Sequence, residues 1–180
     1  MKLFVVRHGE TDWNSKMMAC GISEASLTEK GKAQAEELAK HIATEQAKNK
    51  ISAIYVSPLK RALATAAYIE KALNIKAVTD ERLTEINFGS LEGEDWNKPE
   101  FLQITGNPFF RFPAGESLVH TAYRAYSIIE EVAKKHKEQN VLFVCHGVMT
   151  TMICTYFKSY LQKDLEKIEI KNCQLIEFDL

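Results

Sequence analysis

Arg7-His8-Gly9-Glu10-Thr11 follows directly on the apolar run Leu3-Phe4-Val5-Val6. A guanidinium and an imidazole therefore stand where a buried strand ends, and in open α/β sheets ligands bind beyond the carboxyl ends of the strands. The arrangement recurs twice. Ile51 to Val56 leads into Ser57-Pro58-Leu59-Lys60-Arg61, and Val141 to Cys145 leads into His146-Gly147. If the three strands run parallel, Arg7, His8, Arg61 and His146 converge at one edge of the sheet. Guanidinium groups match phosphate oxygens bidentately, which lysine cannot do, so this set points to a phosphoryl group. Histidine is also a covalent nucleophile through an unprotonated ring nitrogen. Phosphate monoesters hydrolyse so slowly unaided that fixed charge must supply much of any acceleration. The five histidines have no ligand-like spacing to one another or to the cysteines. The expectation is a site without metal or cofactor, its charge supplied by the arginines and the second histidine.

The elements that would position these groups are legible as hydrophobic patterns. The three apolar runs are short, continuous and rich in β-branched residues, as suits strands covered on both faces. Ala35, Leu38, Ala39 and Ile42 form one helical stripe, and Leu59, Ala62, Leu63 and Ala66 another. Ser57 and Pro58 have the types of an N-cap and a first helical residue. Arg61 then falls in the first turn, where the helix dipole disfavours a cation, and off the apolar stripe, which calls for a nearby anion. Leu118, Ala122, Ala125, Ile129 and Val132 make a third stripe, capped by Ser117 and closed by Lys134, Lys135 and Lys137. Val148 to Phe157 reads as a buried helix, and Cys173 to Leu180 as a last strand at an edge. Alternating strands and helices imply a three-layer α/β/α sandwich with a mostly parallel sheet and an antiparallel edge strand. The stretch at about 94–117 carries three of the four prolines and the cluster Phe109-Phe110-Arg111-Phe112. It reads as an excursion over one end of the sheet on the substrate side.

At 180 residues the chain suits a single domain, 1–180, with an ordinary apolar fraction of 46%. A net charge of −1 gives no general attraction to nucleic acid or to an anionic membrane. No apolar run is long enough to span a bilayer, and Met1-Lys2 opens straight into a strand pattern, so a cytoplasmic location is expected. Cys20, Cys145, Cys154 and Cys173 form no C-x-x-C pair and are expected as free thiols, the last three as small core residues. His41, His120 and His136 are expected to be solvated.

The residues that carry the chemistry resemble the motifs of the histidine phosphatase superfamily, also called the phosphoglycerate mutase-like family. Arg7-His8-Gly9-Glu10-Thr11 with Trp13-Asn14 is similar to its opening motif. Gly21 through Leu27-Thr28, Gly31 and Gln34-Ala35 resembles the next block, and Ser57-Pro58-Leu59, Arg61-Ala62 and Thr65-Ala66 the third. Leu83, Glu85, Gly89 and Glu92-Gly93 look like the fourth, Pro113 with Gly115-Glu116-Ser117 the fifth, and His146-Gly147 closes the set. Six pieces in order, spread over almost the whole chain, make the resemblance specific.

The resemblance implies that His8 is phosphorylated on a ring nitrogen and then hydrolysed. Arg7, Arg61 and His146 would hold the phosphoryl oxygens, Asn14 would add a neutral donor, and Glu85 would protonate the leaving alcohol and later take a proton from water. An alkoxide leaves poorly, so a positioned acid fits the chemistry. Glu10 and Glu92 are left as supporting or structural. Three positions depart from the pattern: Cys20 where a glutamine or threonine is usual, Cys145 for a serine, and Val148 for a frequent second glycine. At Cys20 the thiol replaces a polar donor, leaving the Gly21 amide to serve; two nearby arginines would lower the thiol pKa and make it oxidisable. Mutases of the family carry a longer insertion with paired arginines, whereas this excursion offers Arg111 alone beside three phenylalanines. The expected partner is therefore a small phosphomonoester with an apolar or aromatic part facing Phe109, Phe110 or Phe112, and the expected activity a phosphatase. A phosphoglycerate mutase is the alternative; a non-catalytic phospholigand-binding module would have no need of a nucleophile and an acid.

Overall fold

The computed structural model describes residues 1–101, 107–165 and 167–180. One five-stranded sheet runs in the order β3-β2-β4-β1-β5. Its strands are β1 (Lys2–Arg7), β2 (Ile51–Val56), β3 (Ala77–Thr79), β4 (Asn140–Cys145) and β5 (Leu175–Asp179). β1 pairs with β4 in parallel, as β2 does with both β4 and β3, and β5 runs antiparallel beside β1 at the edge. The mixed α/β sandwich and its antiparallel edge strand are as the patterning predicts. The short strand β3 is an addition that the patterning does not mark.

Alternation along the strands divides the core into two layers. Leu3, Val5, Val141, Phe143 and Cys145 face one way, towards α4 (Leu118–His136) and α5 (Gly147–Phe157). Phe4, Val6, Leu142 and Val144 face the other, towards α1 (Glu29–Thr44) and α3 (Lys60–Leu73). On β2, Ile51, Ile54 and Val56 share one layer because a bulge between Ile51 and Ala53 shifts the register. Two further single turns of helix are α2 (Gln46–Asn49) and α6 (Gln162–Leu165). Burying a Phe or Ile from these strands contributes about 1.5–3 kcal/mol each. That burial is the reason the strand ends stay fixed. Among the described residues no helix is long and apolar enough to cross a membrane.

Two helix starts bear on the site. The Ser117 hydroxyl accepts from the His120 amide and caps α4, as its type predicts. Ser57 does not cap α3: Leu59 holds that position, and the Ser57 hydroxyl is turned to His146 instead. The α3 stripe is also rotated from expectation. Leu63 is exposed, and the buried face runs through Arg61, Ala62, Thr65, Ala66 and Ile69.

Within the excursion, residues 102–106 lie outside the described residues. Phe101 and Phe112 are buried and pack edge-on or tilted against Phe88 and each other. Phe109 and Phe110 are exposed.

Candidate active site

β2, β4 and β1 are neighbours, so their carboxyl ends deliver side chains to one place. His8 N–H is bonded to the Cys145 carbonyl at 3.0 Å and Ser57 N–H to the Val144 carbonyl at 3.0 Å, extending the ladder one residue past each strand. His8 and His146 are buried with ring centroids 5.2 Å apart. Gly9 is required here by proximity, not by a special turn. A side chain on it would come within 2.5 Å of the Gly31 carbonyl oxygen on α1.

The hydrogen bonds assign the state of His8. Its Nδ1 lies 2.8 Å from the Gly9 carbonyl, an acceptor only, so Nδ1 carries the proton. Nε2 is therefore unprotonated, and its lone pair accepts a long 3.3 Å contact from Arg61 Nε. Burial, together with the charges of Arg61 and Arg7, holds the His8 pKa well below its ordinary value. The ring is neutral at neutral pH, with an unprotonated nitrogen facing two guanidinium groups.

His146 is the N-cap of α5 and is completely buried. Its Nε2 lies 2.7 Å from Ser57 Oγ, which itself accepts from Leu59 N–H. The Ser57 hydroxyl can accept from Leu59 N–H and donate its own proton to Nε2, and in that arrangement Nδ1 carries the ring proton. Desolvation and the charge of Arg61 keep this histidine neutral too. His146 Nδ1 and Arg7 Nε are the two buried side-chain nitrogens without a partner among the described residues. Leaving such a group unsatisfied costs about 1–3 kcal/mol.

Arg61 is buried, with 1% exposure, under the loop of residues 20–23. Its Nη1 donates to the Ser23 carbonyl at 2.8 Å, and Nη2 to those of Cys20 and Gly21 at 3.3 and 2.6 Å. Carbonyl dipoles thus offset part of a cation placed at a positive helix end. The opposite side of the same loop is tied to Glu92, whose carboxylate accepts from the amides of Gly21, Ile22, Ser23 and Phe88. That geometry corrects the expectation for Gly21: its amide is taken by Glu92. Cys20 does line the cavity, but burial pushes its thiol up to about 11, outweighing the pull of Arg61. The expected acidic thiol is not found.

Glu85 is buried against the first turn of α5. Oε1 accepts from Ile86 N–H at 3.0 Å and Met149 N–H at 2.9 Å, and Oε2 from Val148 N–H at 3.0 Å. Oε1 is therefore saturated, while Oε2 retains a lone pair for a proton. The loop carrying Glu85 is clamped by Arg124 of α4, which donates to the carbonyls of Arg82, Thr84 and Glu85 while paired with Glu116.

Asn14 is oriented by its neighbours. Its Oδ1 accepts from Thr11 N–H at 3.1 Å and from Asn172 Nδ2 at 3.3 Å, which turns its own NH₂ outward as a donor. Asn172 also donates to the His8 carbonyl at 2.9 Å. The segment before β5 thus closes the site, since Arg7 Nη1 bonds the Ile170 carbonyl at 2.5 Å. Sequence reasoning missed Asn172 and Arg124. Only Arg124 left a signal, a charged residue three positions from Thr121 on the buried side of a helical stripe.

Arg7, His8, Asn14, Cys20 and Glu85 border a cavity of about 410 Å³, while Arg61 and His146 are buried behind His8 and are not among its lining residues. Arg111 is not among its lining residues; that side chain is exposed and meets His120 Nε2 at 2.9 Å. Phe109, Phe110 and Phe112 do not line it either, and Phe88 and Trp96 form the aromatic wall instead. A neutral imidazole nitrogen, two guanidinium groups, unpartnered nitrogens and a carboxyl group gathered in one place can perform phosphoryl transfer.

The model of the histidine phosphatase superfamily (branch 1) matches residues 3–180. The chain belongs to this superfamily. It is 36% identical over 171 residues to Phosphoserine phosphatase 1 of Hydrogenobacter thermophilus, covering 91% of this chain and 79% of that protein. Identity to a protein named probable phosphoglycerate mutase GpmB, of Yersinia enterocolitica, is 30% over 189 residues, covering 99% of this chain and 85% of that one. A solved phosphoserine phosphatase mutant from Entamoeba histolytica, in complex with phosphoserine, superposes on this superfamily member with a TM-score of 0.85 at 26% identity. The superposition covers 99% of this chain and 90% of the other.

Proposed function

We propose that this member of the superfamily is a metal-independent phosphomonoesterase that acts on a small phosphorylated metabolite through a phosphohistidine at His8. The observation that carries the reading is the pairing of an unprotonated His8 Nε2 with two buried, unpartnered nitrogens, Arg7 Nε, which can only donate, and His146 Nδ1, which donates when Ser57 gives its proton to Nε2. An anion bound against His8 satisfies both. In the first step Nε2 attacks phosphorus, the bond from phosphorus to the alcohol oxygen breaks, and Glu85 Oε2 delivers its proton to that oxygen. Arg7, Arg61, His146 and the Asn14 amide hold the equatorial oxygens, where charge accumulates. In the second step water attacks phosphorus, gives a proton back to Glu85, and the bond from phosphorus to Nε2 breaks, releasing inorganic phosphate. The relative named phosphoserine phosphatase supports hydrolysis, and the cations already present supply the charge that a metal would otherwise bring.

The relative named phosphoglycerate mutase favours a second reading, in which the phosphoryl group returns to the substrate. One assay separates them. Turnover of p-nitrophenyl phosphate that persists in EDTA and is abolished by His8→Ala supports the phosphatase. Conversion of 3-phosphoglycerate to 2-phosphoglycerate faster than its hydrolysis supports the mutase.

A further inference from the structure

The cavity extends beyond the phosphoryl end, and its outer half has a definite chemistry. Met17, Met18, Phe88, Trp96 and Ile168 present thioether, aromatic and aliphatic surface. The charged group among them is the Glu169 carboxylate. Glu169 is exposed at the cavity's rim, and the backbone that follows it is held in place. The next residue, Ile170, has its carbonyl held by Arg7 Nη1 at 2.5 Å, and Asn172 is tied to the His8 carbonyl. Glu169 is close enough to Arg7 to favour its charged form.

The balance of charge is unusual for a site that takes an anion. Arg7 is the one cation among the lining residues described, Glu169 lines the outer half, and both histidines are neutral. A phosphate dianion adds negative charge that nothing in the outer half offsets. Among the described residues no lysine, and no arginine besides Arg7, lines the cavity. Arg61 does not line the cavity, and its bonds to the loop carbonyls and His8 leave one Nη1 N–H for the phosphoryl group and none for the outer half. A substrate carboxylate would therefore meet Glu169 with no cation to receive it. An ammonium group would meet a carboxylate, and aromatic faces that attract cations, Trp most strongly.

We propose that the alcohol part of the substrate carries an ammonium group and that Glu169 receives it, making this a phosphatase of amino-alcohol phosphates. The inference rests on the phosphatase reading above and adds the substrate class to it. In such esters the ammonium lies a few bonds from the ester oxygen, between the phosphoryl clamp and the residue that follows Ile168. Glu169 acts as a specificity residue, through attraction of one charge and repulsion of the other.

The test is initial-rate kinetics on the full chain with phosphoethanolamine, 3-phosphoglycerate and p-nitrophenyl phosphate, for wild type, Glu169→Gln and Glu169→Lys. Wild type is expected to prefer phosphoethanolamine to 3-phosphoglycerate by about 10-fold or more in kcat/KM, the scale of a partly exposed ion pair gained against a repulsion. Glu169→Gln should shrink that ratio and Glu169→Lys invert it. Hydrolysis of p-nitrophenyl phosphate with a ratio that neither variant alters overturns the proposal and leaves the phosphatase reading standing. A wild type that hydrolyses 3-phosphoglycerate in preference to phosphoethanolamine does the same. No hydrolysis of any of the three esters by folded wild type overturns both.

Discussion

Lowering the pH from about 7 to about 5.5 is expected to destabilise the folded chain through His8 and His146 together. Both rings are buried and neutral, with pKa values held well below the ordinary 6.5 by desolvation and, next, by the charge of Arg61. In the unfolded chain both titrate normally, so below pH 6.5 the unfolded state binds more protons than the folded one. Stability from these groups is therefore complete above the unfolded pKa and is lost as the pH falls. For rings that stay neutral when folded, linkage gives about 1.3 kcal/mol per histidine over this interval, or about 2.5 kcal/mol for the pair. In a chain of this size that is a fall in Tm of about 5–10 °C. The carboxylates with lowered pKa values, such as Asp80 beside Arg82, act at lower pH and leave this window clear. Urea denaturation at the two pH values, in phosphate-free buffer because a bound anion would stabilise the native state, measures the difference. His8→Asn and His146→Gln should each remove about half of it. Stability that is flat across the interval, or variants that retain the whole dependence, would refute the assignment of two buried neutral rings.

Other consequences are as direct. Glu85→Gln should lower kcat on alkyl phosphates by about 10²–10⁴-fold and on p-nitrophenyl phosphate by less, because p-nitrophenolate hardly needs protonation; equal losses in the phosphorylation step would count against Glu85 as the acid. Asn172 holds Oδ1 of Asn14, so Asn14→Ala and Asn172→Ala should be non-additive, the second costing little kcat once the first is in place; additive losses would show that Asn172 does not act through Asn14. The Cys20 thiol, pushed up to about 11, should leave activity insensitive to mild peroxide in wild type and Cys20→Ser alike. Inactivation of wild type alone would contradict that.

Periodicity made the frame legible and left the closure of the site hidden. The runs ending at Val6, Val56 and Cys145 named three strands, and their parallel pairing brought Arg7, His8 and His146 together as the sequence implied. Strand β3 spans three residues at an edge, two of them exposed, too short for any alternation to register. The α3 stripe misled because Leu63 is exposed while Arg61 is buried, its charge met by carbonyls of a loop that no periodic signal could place. Ser57 had the right type for a cap and a better partner in His146. Phe109 and Phe110 drew attention as a cluster, yet they are exposed, and the aromatic wall comes from Phe88 and Trp96. Glu92, Arg124 and Asn172 act by several polar contacts each, to residues distant along the chain, 158 positions apart for Asn172 and Asn14. Such contacts follow from the fold and leave no pattern along the chain.

The proposed chemistry turns on His8 Nε2 carrying the phosphoryl group. Rapid-quench reaction of Glu85→Gln with p-nitrophenyl phosphate, quenched in alkali and read by intact and tandem mass spectrometry, tests this most directly. The expected result is a burst of p-nitrophenol equal to the enzyme, with one phosphoryl group on His8 and none in Glu85→Gln combined with His8→Ala. A phosphoryl group on any other residue, or undiminished turnover by His8→Ala alone, would contradict it.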